Sequence, residues 1–303
     1  MTSRSVLLSA ILLCASFIAA VPAHAQDSAL AADTDPDKTN PAAMLSFQLP
    51  SHGALLNAFV YIAAGAAPHP TVILLHGFPG NERNLDLAQS IRRAGWNVLY
   101  FDYRGSWGSP GDFSFTHCIE DTQSAIDYLR NPAHAALLRT DLRKIVLIGH
   151  SMGGFMAIET GALDPAIRAV VSISAADLGT SRFLSLPAHQ RDIAVIGLAD
   201  LLNDQGMAPL TGTSPESLAN EAFSHAAQWN FVHLAPKFAT RPLLILTSND
   251  GLSAPNDAFV AAVNRSGNHA VKAIHFPTDH TYSDHRIALQ KAILDFLASL
   301  HRK

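Results

Sequence analysis

Lys144-Ile145-Val146-Leu147-Ile148-Gly149-His150-Ser151-Met152-Gly153-Gly154 is the stretch on which the reading of this chain turns. Residues 144–148 read as a short buried strand, and the pattern from Met152 to about 161 is helical. Between them stands G-x-S-x-G. A strand that turns this abruptly into a helix strains the serine backbone and leaves no room for neighbouring side chains. Gly149 and Gly153 remove those side chains. The Ser151 hydroxyl then projects from the strand end at a helix N-terminus, where partial positive charge favours developing negative charge. Ser151 is therefore the candidate nucleophile. His150, at the variable position, reads as a turn residue, because a base must approach from another loop.

A serine placed in this way needs two amide donors for the oxyanion. One is the backbone N–H of Met152, next to the nucleophile. The other is expected from the loop His76-Gly77-Phe78-Pro79-Gly80, where Gly77 permits close approach and Phe78 carries the N–H that Pro79 lacks. The acid and the base follow in chain order, carboxylate first and histidine second. Asp250 is the carboxylate right after the strand over 243–247, whereas Asp257 falls in the next helix. His280 lies in the loop after the last strand. His275 is expected to pack within that strand, and His285 to start the final helix behind Ser283-Asp284. Asp279 and Asp284 are too close in sequence to orient His280.

Outward from this stretch, apolar runs alternate with helical segments. Strands are expected near 45–49 and over 55–62, 71–75, 98–101, 144–148, 169–174, 243–247 and 271–276. Helices are expected over 84–94, 119–129 and 152–161 and at the C-terminus. Continuous apolar strands separated by helices predict an α/β fold with a doubly wound, mostly parallel sheet. Ligands bind such sheets beyond the carboxyl ends of the strands. One interval breaks the rhythm: residues 176–238 contain helical patterns over 192–203 and 215–223 but no strand, which predicts a helical lid insertion.

The termini and composition set the remaining bounds. Residues 1–25 read as a secretory signal peptide, with Arg4, an apolar run over 6–20 and the exit Ala23-His24-Ala25. That run is shorter than the ~20 residues of a spanning helix, so no stable membrane anchor is expected after cleavage, and a secreted or periplasmic location is. Residues 26–43 read as a flexible leader and 44–303 as one domain. Cys118 is left alone once Cys14 departs, and is expected to be a small buried residue. With 303 residues, 48% hydrophobic, 15% charged and a formal charge of −4, the chain shows no basic nucleic-acid footprint. Its 15 histidines form no compact ligand set, so neither a metal nor another cofactor is expected.

The segments His76-Gly77-Phe78, Asp102-Tyr103-Arg104-Gly105-Ser106-Trp107-Gly108-Ser109-Pro110-Gly111, the Ser151 turn, Asp250 and His280-Thr281-Tyr282-Ser283 resemble the α/β-hydrolase superfamily over about residues 47–300. The similarity is to the branch of serine aminopeptidase-like and dipeptidyl-peptidase-like hydrolases and bacterial esterases. It implies cleavage of esters, thioesters or peptide bonds without a cofactor, and a structural role for the turn over 102–111. The expected substrate is a small-molecule ester. An exopeptidase acting on short peptides uses the same triad and needs a lid carboxylate such as Glu216 or Glu221 to hold a free N-terminus. A binding protein that kept the fold and lost turnover is the reading from a different class.

Overall fold

The computed structural model describes residues 29–179 and 186–301. The signal segment expected over 1–25 lies outside these residues. Strands β1 (Ala43–Ser51), β2 (Ala54–Ile62), β3 (His69–Leu75), β4 (Asn97–Phe101), β5 (Thr140–His150), β6 (Ala169–Ile173), β7 (Leu243–Thr247) and β8 (Val271–His275) form one eight-stranded sheet, in the order β1-β2-β4-β3-β5-β6-β7-β8. β1 pairs with β2 and β2 with β4 in antiparallel fashion. Every neighbouring pair from β4 to β8 is parallel. This is the doubly wound, mostly parallel sheet that the alternation of strands and helices predicts.

Successive side chains of a strand point to opposite faces, and both faces here are covered. Val72 and Leu74 of β3 join the layer of α1 (Leu85–Arg93) and α9 (Arg286–His301). Ile73 and Leu75 join the layer of α2 (Phe115–Arg130), α4 (Met152–Leu163) and α8 (Ser253–Arg265). Double coverage is why β3, β4, β6 and β7 are buried at every position and read as unbroken apolar runs. Burying each such Val, Leu or Ile contributes about 1.5–3 kcal/mol. The two edge strands, β1 and β8, are largely exposed. His275, expected to pack within the strand, is instead exposed and bonds Thr247 Oγ1 and Asn249 Oδ1, each at 3.0 Å.

Two helices differ from the sequence reading. α2 begins at Phe115, a turn before the expected 119. Ser114 caps it by accepting from the His117 N–H. The Glu221 carboxylate, from far along the chain, accepts from the Phe115 and Thr116 N–H groups at 2.9 and 2.8 Å. α3 (Pro132–Leu138) was not expected, although Asn131 at its cap and Pro132 in its first turn are start signals. The leader expected over 26–43 is fastened at several points. Ala29 is buried and its carbonyl accepts from Arg93 Nε at 2.6 Å, Asn40 O accepts from the Gly65 N–H, and Pro41 O accepts from Arg139.

Between β6 and β7 the chain carries α5 (Ala188–Asp204), α6 (Pro215–His225) and α7 (Phe231–Leu234), with no strand of the sheet among the described residues. Trp229 sits against Phe115 and Phe155 in the core. The loop before α6 clasps the turn over 102–111: Trp107 donates to Pro209 O, Phe113 to Thr211 O, and Thr211 to Gly105 O.

Candidate active site

Ser151 sits between β5 and α4 with φ 58° and ψ −120°, a conformation that costs a non-glycine residue about 1–3 kcal/mol. Surrounding bonds hold it there. Its N–H donates to Ile173 O at 2.9 Å, and its carbonyl accepts from Gly154, Phe155 and Ala176 at 3.0, 3.2 and 3.1 Å. A Cβ on Gly149 would collide with the Gly153 carbonyl, and one on Gly153 with the Leu75 carbonyl. These contacts give the physical reason for both glycines of the motif.

The loop after β3 comes up against the serine: a Cβ on Gly77 would lie 3.0 Å from Ser151 Cβ. His76 Nδ1–H donates to Gly77 O at 2.7 Å, and Trp107 Nε1–H donates to Pro79 O at 2.8 Å. Burial pushes the His76 pKa down to about 4, so its ring is neutral. The turn over 102–111 thus contributes Trp107 as a brace for the loop that carries Phe78. Neither the Phe78 nor the Met152 N–H has an acceptor among the described residues. Met152 heads α4, where the first amides have no intrahelical partner.

Asp250 follows β7 and His280 follows β8, and the fold brings them together. His280 Nδ1–H donates to Asp250 Oδ2 at 2.7 Å, which leaves His280 Nε2 free to accept a proton. The Asp250 side chain is 4% exposed and that of His280 is 38% exposed. Burial opposes ionisation of Asp250, yet bonds from His280, the Leu252 N–H, Ser174 and Ser248 outweigh it and hold the carboxyl below its usual value. Asp257 lies within α8, and Asp279 accepts from Ser283 instead of a histidine. Ser151 and His280 line one cavity of about 130 Å³, together with Gly77, Phe78, Glu82 and Gln205.

The structure adds residues that the sequence reading passed over. Ser174 at the end of β6 and Ser248 at the end of β7 share a bond at 3.0 Å, and the Tyr282 hydroxyl lies 3.1 Å from Ser174. This hydroxyl cluster lies beside Asp250. Its only sequence signal is that both serines leave strand carboxyl ends. His150 is buried, and its Nε2 lies 2.8 Å from the His280 carbonyl oxygen. Neither Glu216 nor Glu221 lines the cavity: Glu221 caps α2, and Glu216 is fully exposed in the first turn of α6. Cys118 is buried, and burial pushes its thiol well above the usual range. No cluster of three metal-ligating side chains occurs among the described residues.

Comparison with known proteins agrees with the fold. The profile of the alpha/beta hydrolase family matches residues 72–294. The chain is 29% identical to the quorum-quenching protein AidA of Acinetobacter baumannii (strain MDR-ZJ06) over 138 residues, 44% of this chain and 44% of that protein. It is 33% identical to the sn-1-specific diacylglycerol lipase ABHD11 of Xenopus tropicalis over 108 residues, 33% of this chain and 30% of that one. The matches span less than half the length of these relatives. Among solved structures, Est1E from Butyrivibrio proteoclasticus with bound ferulic acid superposes with a TM-score of 0.64 at 21% identity, covering 84% of this chain and 99% of that one. At that identity the likeness shows the fold alone.

Proposed function

Because the chain belongs to the alpha/beta hydrolase family, we propose that it is a serine hydrolase that cleaves a carboxylic ester or related acyl bond through an acyl-enzyme on Ser151. The observation that carries this reading is the His280–Asp250 pair at 2.7 Å, with His280 on the wall of the cavity that Ser151 also lines. His280 Nε2 takes the Ser151 proton as the serine oxygen bonds to the substrate carbonyl carbon. The Phe78 and Met152 amides receive the resulting oxyanion; losing such a donor costs about 10²–10³ in rate. His280 returns the proton to the leaving alkoxide, which departs as the alcohol. Water then adds to the acyl-enzyme with His280 as base and releases the acid. Asp250 holds the imidazole tautomer and balances its charge.

An ester is favoured over a peptide N-terminus because Glu221 caps α2, Glu216 faces solvent, and Glu82 on the cavity wall already accepts the Asn84 N–H. The small cavity suits a compact acyl group. The printed name of one relative, the diacylglycerol lipase of Xenopus tropicalis, supports ester chemistry. Export through the segment over 1–25 belongs to this proposal, and a mature N-terminus at Gln26 is its check. The decisive experiment is covalent labelling by a fluorophosphonate, followed by turnover of acyl esters of rising chain length beside aminoacyl amides. Labelling of the wild type, its absence in Ser151→Ala, and a preference for short acyl esters are expected. An unlabelled wild type that binds ligand without turnover would point to an inactive binding protein.

A further inference from the structure

We propose that His150, the residue before the nucleophile, is a positioning residue that ties the loop of the base to the serine turn through the backbone carbonyl of His280. The inference rests on the serine-hydrolase reading and deepens it. His150 is 3% exposed, its Nε2 lies 2.8 Å from His280 O, and the two rings stand 4.6 Å apart. A carbonyl oxygen only accepts, so Nε2 of His150 carries the proton and donates it. Among the described residues no other group bonds the His280 backbone. The rest of this loop is held elsewhere: Thr278 O accepts from the Asn249 N–H, Thr281 O from Arg286, and Asp279 takes the Ser283 N–H. His280 would otherwise pivot on its side-chain bond to Asp250 alone.

The placement has a geometric logic. His150 and Ser151 are adjacent, so the bond sets the height of the imidazole relative to the very turn that carries the hydroxyl. A misplacement of about 1 Å costs as much as 10²-fold in rate, so one hydrogen bond at this point has leverage. Charge also matters. Burial, with the nearby His280 and Arg286, pushes the His150 pKa down to about 3. The bond to the His280 carbonyl and the charge of Asp250 pull the other way and do not prevail. The neighbour of the base is therefore an uncharged donor, and it does not repel the imidazolium formed when His280 takes the serine proton.

The test is the rate of fluorophosphonate labelling and the kcat and KM of a short acyl ester, for wild type, His150→Leu, His150→Asn, His280→Ala and the double variant His150→Leu/His280→Ala. Positioning predicts that His150→Leu labels about 10- to 100-fold more slowly, with kcat falling and KM little changed, and that His150→Asn recovers part of the loss. In the His280→Ala background the same substitution changes labelling by less than about twofold, because its effect passes through the missing base. Equal losses in both backgrounds, or wild-type labelling by His150→Leu, would overturn the inference and leave the hydrolase reading intact. A wild type that is neither labelled nor active would sink both. If His150→Leu does not fold, as judged by its thermal transition, the same cycle with His150→Asn decides.

Discussion

The serine turn and the helical insertion between β6 and β7 are built in opposite ways. At the turn every backbone group of Ser151 is committed, two glycines are pressed against carbonyls, and the flanking strand and helix are buried. The insertion is split. Its C-terminal part sinks Trp229, Phe231 and Phe238 into the core. Its first helix, α5, leaves Ile193, Ile196 and Leu201 exposed at 71%, 60% and 56%. Ser151 thus sits on a frame with no slack, while the insertion is sunk into the core at its C-terminal end and at Ala199 and Leu202 and turns other apolar side chains of α5 to solvent. Chemistry that depends on fractions of an ångström is placed where the sheet dictates position.

Substitutions can break this contrast. The largest effect is expected at the frame. Asp250→Asn keeps the shape but favours the wrong imidazole tautomer, so kcat falls by about 10⁴ with an unchanged thermal transition. A fully active Asp250→Asn would move the acid elsewhere. Next comes the anchor of the insertion: Trp229→Ala removes the ring lodged against Phe115 and Phe155 and costs about 3–5 kcal/mol in denaturant unfolding. A loss below about 1 kcal/mol would show that the insertion is not anchored there.

A third effect sharpens the comparison from inside the serine helix. Glu159 of α4 is buried, one carboxylate oxygen lacks a partner, and burial raises its pKa from 4.5 to about 7. Between these values the folded state holds a proton that the unfolded chain releases, so stability falls as pH rises through the window and the loss is complete above 7. Glu159→Gln should therefore raise stability at pH 8 by about 2 kcal/mol and change little at pH 4.5. An equal shift at both pH values would remove this account. The smallest effect belongs to α5: Ile193→Ser with Ile196→Ser should stay within about 0.5 kcal/mol per site, because those side chains already face solvent. A cooperative loss of several kcal/mol would show that these two side chains are packed after all.

How much of this was legible depended on how local each cause is. The strand–turn–helix around Ser151, the apolar strands and the chain order Ser151, Asp250, His280 follow from short-range pattern and backbone sterics, and the structure brings these residues to one end of the sheet. The start of α2 is not legible locally because two of its three capping bonds come from Glu221 on another helix. The exposure of His275 is not legible because an edge strand and a central strand read alike until their neighbours are known. The fastened leader depends on Arg93 and Arg139, which no local pattern links to it.

The sequence by itself determined the doubly wound sheet, the glycine-cleared serine turn and the loops from which a base and an acid would come. These are set by side-chain periodicity and φ/ψ sterics over a few residues. Only the tertiary structure decided which imidazole meets which carboxylate, that Ser174, Ser248 and Tyr282 cluster beside Asp250, and that His150 bonds the His280 carbonyl. Those contacts join residues 30 to 130 positions apart. Their geometry is fixed by the stagger of packed strands, which no stretch of sequence carries alone.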